Sequence, residues 1–434
     1  MASIRPLNGF RDFYPPSFAE RAHIFAVWRR VAARYGFVEY DGPPLEPLEL
    51  YTKKSGTEIV DQLYTFVDKG GRDVAMRPEM TPTVARMVAA QANALRKPVR
   101  WFSIPQLFRY ERPGRGRLRE HFQLNADIFG DGGPMADAEL LALVVDMLRE
   151  FGLTSSDVRV RVSDRRLLDA VLRMLGHPAD RIPAIYAVLD KFDRQPRSVS
   201  TEKLLAAGCT SDEVEALFGL VAESDGGFFG RLQQYMPDGI LQGDVAERFL
   251  ATQETLRMAS LLLGEPAHAW MQLDLTIVRG LAYYTGLVFE VFDRKGELRA
   301  ISGGGRYDGL MNALADVDMP AAGFGWGDVV LGELLRDRGL LPSTPLAPDY
   351  WVLASDEQDC HLVQRIAGEL RRRGRRVEYA LRPQQMSKQL KAAVSAGASK
   401  ALVLDSDSPA NATLRDLSSG EETKVVTMEW LATQ

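Results

Sequence analysis

Between Leu341 and Pro348 the chain reads Leu-Pro-Ser-Thr-Pro-Leu-Ala-Pro, with three prolines in the seven residues from Pro342. Each proline fixes φ and removes a backbone donor, so neither a helix nor a central strand can run through this stretch. The 434-residue chain therefore faces a large folding problem before the segment and a small one after it, with a stiff linker at 341–348 between them. The large part is too long for one ordinary core and is expected to be composite itself.

A helix is expected from Ser17, where Ser17-x-x-Glu20 has the form of a capping box and Ile24, Val27, Trp28 and Val31 follow at helical spacing. Strands are expected at 37–40, 101–110, 122–129, 271–276 and 285–292, and as a hairpin around Lys69-Gly70-Gly71. Helices are expected from Thr81 and over 138–151. From 155 to 266 helical patterns dominate after one alternating run, Val158-Val160-Val162, so this region reads as a mainly helical insertion. It would interrupt a domain made of 1–154 and 267–340. Beyond the linker, short strand patterns at 350–354, 377–380 and 401–404 alternate with helical stretches, so 349–434 reads as a small α/β domain with a largely parallel sheet. The fold class is α/β.

A net charge of −5 excludes a polyanion binder held by bulk charge, while leaving room for local basic patches. Cys209 and Cys360 stand far apart without a CxxC pattern or histidine-rich neighbours in sequence, which argues against a disulfide framework or a zinc site. Residues 1–12 contain no apolar signal core, and no run reaches 18 apolar residues. A cytoplasmic protein with no membrane association is expected.

Five segments carry the chemistry. Arg77-Pro78-Glu79-Met80-Thr81 sets a cation, a carboxylate and a hydroxyl at a turn before a helix, though helix capping alone would account for it. In Phe108-Arg109-Tyr110-Glu111, Arg109 and Glu111 share one face of a strand, where they could simply pair. The loop from Arg112 to Arg119 carries four arginines, whose forked donors match phosphate oxygens; a solvated hairpin tip is the plain alternative. Arg279-Gly280-Leu281-Ala282-Tyr283-Tyr284 puts two tyrosines side by side, and strand alternation would send one to the core and one to a pocket. Ser302-Gly303-Gly304-Gly305-Arg306 reads as a glycine-rich turn that lacks the pattern of a P-loop or a dinucleotide fingerprint.

In residues and order these segments resemble the histidyl-tRNA synthetases over nearly the whole chain. The resemblance implies a class II catalytic domain built on an antiparallel sheet flanked by helices, a helical insertion and an anticodon-binding-like domain at 349–434. It implies activation of histidine with ATP, assisted by Mg2+, and transfer to tRNA(His) by a homodimer whose interface element includes Pro44-Leu45-Glu46. Arg109 and Arg279 would be catalytic, acting on the α-phosphate. Arg109, Glu111, Arg117, His121 and Arg306 would bind ATP. Glu79, Thr81, Gln123, Asp127, Arg279, Tyr283 and Tyr284 would bind histidine. Arg115, Arg372, Arg376 and Lys388 would face tRNA, and no structural metal site is implied. The chain departs from the pattern at Val330, where class II enzymes carry an arginine that stacks on adenine and touches the γ-phosphate. His121 stands where many members have phenylalanine, and Asp127 replaces the commoner glutamate. Arg115, Arg117 or Arg306 would then supply the missing charge. The alternative from another class is the synthetase-like regulatory subunit of ATP phosphoribosyltransferase. A C-terminal domain and the Arg-Gly-Leu-x-Tyr-Tyr signature oppose that alternative.

Overall fold

The computed structural model describes residues 4–52, 60–192, 195–221, 243–278, 283–342, 347–354, 360–405, 408 and 410–433. They divide into two compact units, residues 1–14 with 20–341 and residues 15–19 with 342–434. The helix Pro15–Arg34 begins two residues before the expected cap at Ser17. Prolines occupy its first turn, where their missing donors cost nothing, and no side chain caps it.

In the first unit, β1 (Val38–Glu39) precedes a side sheet of β2 (Leu45–Pro47), β3 (Tyr64–Val67) and β4 (Asp73–Met76), in the order β2-β4-β3. The main sheet has nine strands. Besides β1 it contains β5 (Val99–Ser103), β6 (Gln106–Phe108), β7 (Glu120–Phe129), β8 (Val158–Asp164) and β9 (Met271–Leu273). It is completed by β10 (Leu287–Asp293), β11 (Ser302–Arg306) and β12 (Ala321–Gly327). The order is β1-β5-β7-β12-β11-β10-β8-β9, with β6 pairing to β7. All pairs are antiparallel except β1–β5 and β8–β9 at the two ends.

Two expectations change here. The Val158-Val160-Val162 run belongs to the main sheet, not to the insertion. It pairs along its length with β10, and all three valines are fully buried. The helical segment starts only after Asp164, which caps the helix Arg165–Met174 by accepting from the Arg166 amide. The glycine-rich run, expected as a turn, is the central strand β11. Phe289 and Phe324 lie opposite Gly304 on either side, with ring centroids 6.2 Å apart. A Cβ on Gly304 would run into Gly323 O and the Cα and Cβ of Phe324, so the missing side chain is what lets β12 lie this close.

The helix Pro134–Glu150 is buried nearly all round, sharing a core with Leu124, Val160, Phe289 and Trp326 from the sheet. The helices from Arg165 to Val221 hold a second core around Leu168, Val171, Ile185 and Leu204. The helix Gly243–Leu263 gives Val245 and Phe249 to that core and Ala259 and Leu263 to the main one.

The second unit has β13 (Tyr350–Leu353), β14 (Val377–Glu378), β15 (Lys400–Leu404), β16 (Asn411–Asp416) and β17 (Glu422–Val426), in the order β14-β13-β15-β16-β17. β13 pairs in parallel with β14 and β15, but β15–β16 and β16–β17 are antiparallel. The expected largely parallel sheet is thus a mixed one. Asp416 accepts from the Ser418 and Ser419 amides, both at 2.9 Å, and folds the chain back in a turn too short for a parallel crossover.

Candidate active site

The site is laced together from the backbone outward. Arg77 is 5% exposed and donates to Asp41 Oδ1 at 2.8 Å, Gly42 O at 2.7 Å and Gln106 O at 3.0 Å, so it positions its own turn. The Phe108 amide donates to Arg77 O at 3.0 Å, and Arg109 Nε donates to Pro78 O at 2.9 Å. The segment bearing Glu79 and Thr81 is therefore tied to the one bearing Arg109, and Thr81 opens the helix Thr81–Ala90.

A polar cavity of about 250 Å³ lies over the middle of the main sheet. Its lining includes Glu79, Thr81, Gln123, Asp127, Tyr283 and Tyr284, so the described residues expected around histidine stand together. It also includes Asn125, Glu290 and Tyr307, which the sequence reading missed. Alternation along β7 puts Gln123, Asn125 and Asp127 on one face and could have found Asn125. Tyr284 is a core residue packed with Val288 and Tyr307, and Tyr283 is only partly buried, but the split is incomplete because both reach the cavity. They precede β10 instead of lying in a strand, so alternation does not govern them, and both line the cavity with ring centroids 4.9 Å apart.

Room for the polar side chains comes from the neighbouring strand. An added Cβ at Gly323 would lie 2.1 Å from Asp127 Oδ1, and one at Gly325 would lie 1.9 Å from Gln123 Nε2. Tyr307 donates its hydroxyl to Asp127 Oδ1, while Asp127 Oδ2 is buried without a hydrogen-bond partner among the described residues. Burial raises the Asp127 carboxyl to about 7, against the opposing pull of the Tyr307 hydrogen bond. Tyr283 donates to Glu79 Oε2 at 3.3 Å.

A second cavity of about 310 Å³ is lined by Arg109, Glu111, Arg117, His121, Arg299 and Val330, among others. Arg109, Ala300 and Ile301 line both cavities. Arg117 donates to the Glu111 carboxylate, so those two groups occupy each other. His121 Nε2 lies 3.2 Å from Gln123 Oε1; burial and the Arg109 charge lower its pKa to about 3, leaving a neutral ring.

Arg306 does not join this cavity, contrary to expectation. It is 1% exposed and donates to Asp137 at 3.0 Å, Asp308 at 3.0 Å and the carbonyls of Asp131 and Gly133, both at 3.0 Å. Its donors are consumed in the core, and it is a structural ion pair instead of a phosphate ligand. Arg115 also lies outside the cavity lining, beside Glu333 at 3.4 Å and Asp337 at 3.8 Å. Arg279 lies outside the described residues. Arg299, which the sequence reading passed over, lines the cavity instead.

Glu46 on β2 is buried and pairs with Arg86 at 2.6 Å. In the second unit Arg372 is held by Glu369 and Arg376 by Asp349 at 3.1 Å; Lys388 is exposed on the helix Met386–Ser395. Cys209 does have a histidine neighbour in space. Ligand atoms of His177, Cys209 and Glu213 all lie within 4.8 Å of one another. Glu213 is already engaged by the Thr210 amide at 2.6 Å, in a helix-capping arrangement. Both cysteines are free thiols, and no described helix is long and apolar enough to cross a membrane.

The architecture is that of an aminoacyl-tRNA synthetase. It matches the histidyl-tRNA synthetase structure from Nostoc sp. with a TM-score of 0.84 over 100% of both chains, at 22% identity. A family profile for histidyl-tRNA synthetase matches residues 9–327. The chain is 44% identical to histidine–tRNA ligase of Opitutus terrae, covering 98% of this chain and 96% of that one. It is 40% identical to histidine–tRNA ligase of Halobacterium salinarum, covering 96% and 94%. The chain belongs to the histidyl-tRNA synthetase family.

Proposed function

We propose that this chain is a histidine–tRNA ligase, which joins histidine to ATP as histidyl-adenylate and then transfers the histidyl group to tRNA(His). The observation that carries this reading is the junction at Arg109. One guanidinium borders both a polar cavity of about 250 Å³, lined by carboxylates, amides and tyrosines, and a neighbouring cavity of about 310 Å³ with arginines suited to a nucleotide. In adenylation a histidine carboxylate oxygen bonds to the α-phosphorus and the bond to the β-phosphate oxygen breaks, releasing pyrophosphate. The carboxylate is already ionised, so the step needs positioning and charge neutralisation but no general base. Arg109 stands where those two groups would meet.

Asp127 supports histidine as the amino acid. Its buried second oxygen is a ready acceptor for an imidazole N–H, and Tyr307 fixes the first. Glu79, Thr81 and Gln123 would hold the amino and carboxylate groups, with Tyr283 and Tyr284 walling the ring. In the nucleotide cavity Glu111 would accept from the adenine amino group and the neutral His121 would stack on the base. Arg117 would then move from Glu111 to the phosphates. Arg279 is proposed, from the resemblance, as a second cation at the α-phosphate. Glu290, a carboxylate lining the adjoining cavity, would help to hold Mg2+, which would supply charge neutralisation at the phosphates.

The second unit, with Arg372, Arg376 and Lys388, and the loop residue Arg115 would contact tRNA. A homodimer joined through the β2 segment and a cytoplasmic location complete the reading. Histidine-dependent exchange of pyrophosphate into ATP tests it. The purified chain should exchange with histidine and with no other standard amino acid, and should charge tRNA(His). Folded protein that binds histidine but never exchanges would be a regulatory paralogue instead.

A further inference from the structure

We infer that Arg299, on the segment between β10 and β11, is the cation that holds the outer phosphates of ATP in this chain. The inference rests on the nucleotide reading of the second cavity. Among the described residues, three guanidinium groups line that cavity: Arg109, Arg117 and Arg299. Arg109 sits at the junction with the amino-acid cavity and is tied through Nε to Pro78 O. Arg117 is held by Glu111. Arg299 is exposed and makes no hydrogen bond or ion pair among the described residues.

Its place in the wall is fixed by Gly116. A Cβ added there would lie 3.2 Å from Val330 Cγ2 and 3.8 Å from Arg299 Cδ, so Arg299 and Val330 flank the same point of the arginine-rich loop. Val330 presents only methyl groups to the cavity and cannot neutralise an anion. The aliphatic stem of Arg299 passes beside it and leaves five donors for phosphate oxygens. The other cations considered for this task are occupied, Arg306 in the core by Asp137 and Arg115 by Glu333 and Asp337. Recruiting Arg299 breaks no pair among the described residues. A free arginine at the rim of a nucleotide cavity is therefore the lowest-cost source of the charge.

Arg299 also borders a larger cleft of about 850 Å³, with Arg159, Arg161 and Arg294. A role confined to that cleft is the competing assignment, and the length of the phosphate chain separates the two. Equilibrium binding of ATP and of AMP is measured on the full-length wild type, Arg299→Ala and Arg299→Glu. Affinity for ATP should fall about tenfold in Arg299→Ala and further in Arg299→Glu, while AMP, which has no outer phosphates, binds all three proteins within about twofold. Unchanged AMP binding also shows that the cavity is still folded. Equal weakening of ATP and AMP, or ATP affinity that does not follow the order Arg, Ala, Glu, would overturn the inference. Histidine-dependent pyrophosphate exchange by the wild type is run alongside. Exchange by the wild type with no selective loss of ATP in the variants refutes Arg299 alone, whereas absence of exchange refutes the ligase reading.

Discussion

The two cavities meet at Arg109 but are held by opposite means. The amino-acid cavity is cut into the sheet itself. Gln123, Asn125 and Asp127 stand on β7, and β12 carries Gly323 and Gly325 where the Asp127 and Gln123 side chains need room. Tyr307 locks Asp127 from the core side. The nucleotide cavity borrows its walls from the loop between β6 and β7, the β10–β11 segment and the start of the helix Asp328–Asp337. Its charges are parked on one another, Arg117 on Glu111, or have no partner among the described residues, as Arg299 does. On the proposed assignment, the first would discriminate a small molecule with groups already in place, while the second would rearrange around a large flexible one.

The largest expected effect comes from the group common to both. Arg109→Ala should lower kcat/KM for histidine-dependent pyrophosphate exchange by about 10²–10³-fold, the range for removing one preorganised donor from developing charge. Both substrates should be affected. A loss confined to the ATP KM would place Arg109 wholly in the nucleotide cavity and break the comparison at its centre.

Gly323→Ala should separate the two sides. The added methyl would sit 2.1 Å from Asp127 Oδ1 and 2.8 Å from Ala126 O, so the carboxylate or the strand must shift. Overpacking of this kind costs on the order of 1–3 kcal/mol, and the histidine KM should rise about tenfold or more with the ATP KM little changed. If the ATP KM rose equally, the cavities would not be independently built.

Asp127 gives a pH test of the same cavity. Burial raises its carboxyl to about 7 in the ligand-free protein. Stability linked to its neutral form is complete below the ordinary carboxylate range and is lost as pH rises through about 7. Histidine binding runs the other way, because an imidazole N–H donates best to the ionised carboxylate. The histidine Kd should rise by up to about tenfold per unit as pH falls below 7. Asp127→Asn should flatten that limb. An unaltered pH profile in the variant would remove Asp127 from ring recognition.

Local pattern carried much of this fold into view. Strand alternation located β5, β7 and β10, and the same rule, applied to Gln123 and Asp127, would have added Asn125. Other features depended on partners remote in sequence. Val158 to Val162 was legible as a strand, but its place between β10 and β9 is fixed by residues more than a hundred positions away. Arg306 stands beside a glycine run and suggested a phosphate ligand; its partner Asp137 lies 169 residues away and nothing local signals that burial. Arg299 follows Arg294-Lys295-Gly296-Glu297 and reads as part of a solvated turn. Only the packing of three separate segments at Gly116 gives it a site.

The smallest effect expected is that of Val330→Ala. Val330 is 8% exposed, lines the nucleotide cavity and stands next to Gly116. Losing two methyl groups removes packing worth on the order of 1 kcal/mol from the folded protein. It removes no charge and no donor. If outer-phosphate binding is carried by arginines of the β6–β7 loop and the β10–β11 segment, the ATP KM should move by no more than about threefold, less than 1 kcal/mol, with the histidine KM unchanged. That outcome would sharpen the contrast between a cavity whose every small change is felt and one whose wall tolerates trimming. A tenfold rise would mean that the position itself shapes the nucleotide site, and that its aliphatic side chain is as closely fitted to the base as Asp127 is to its tyrosine.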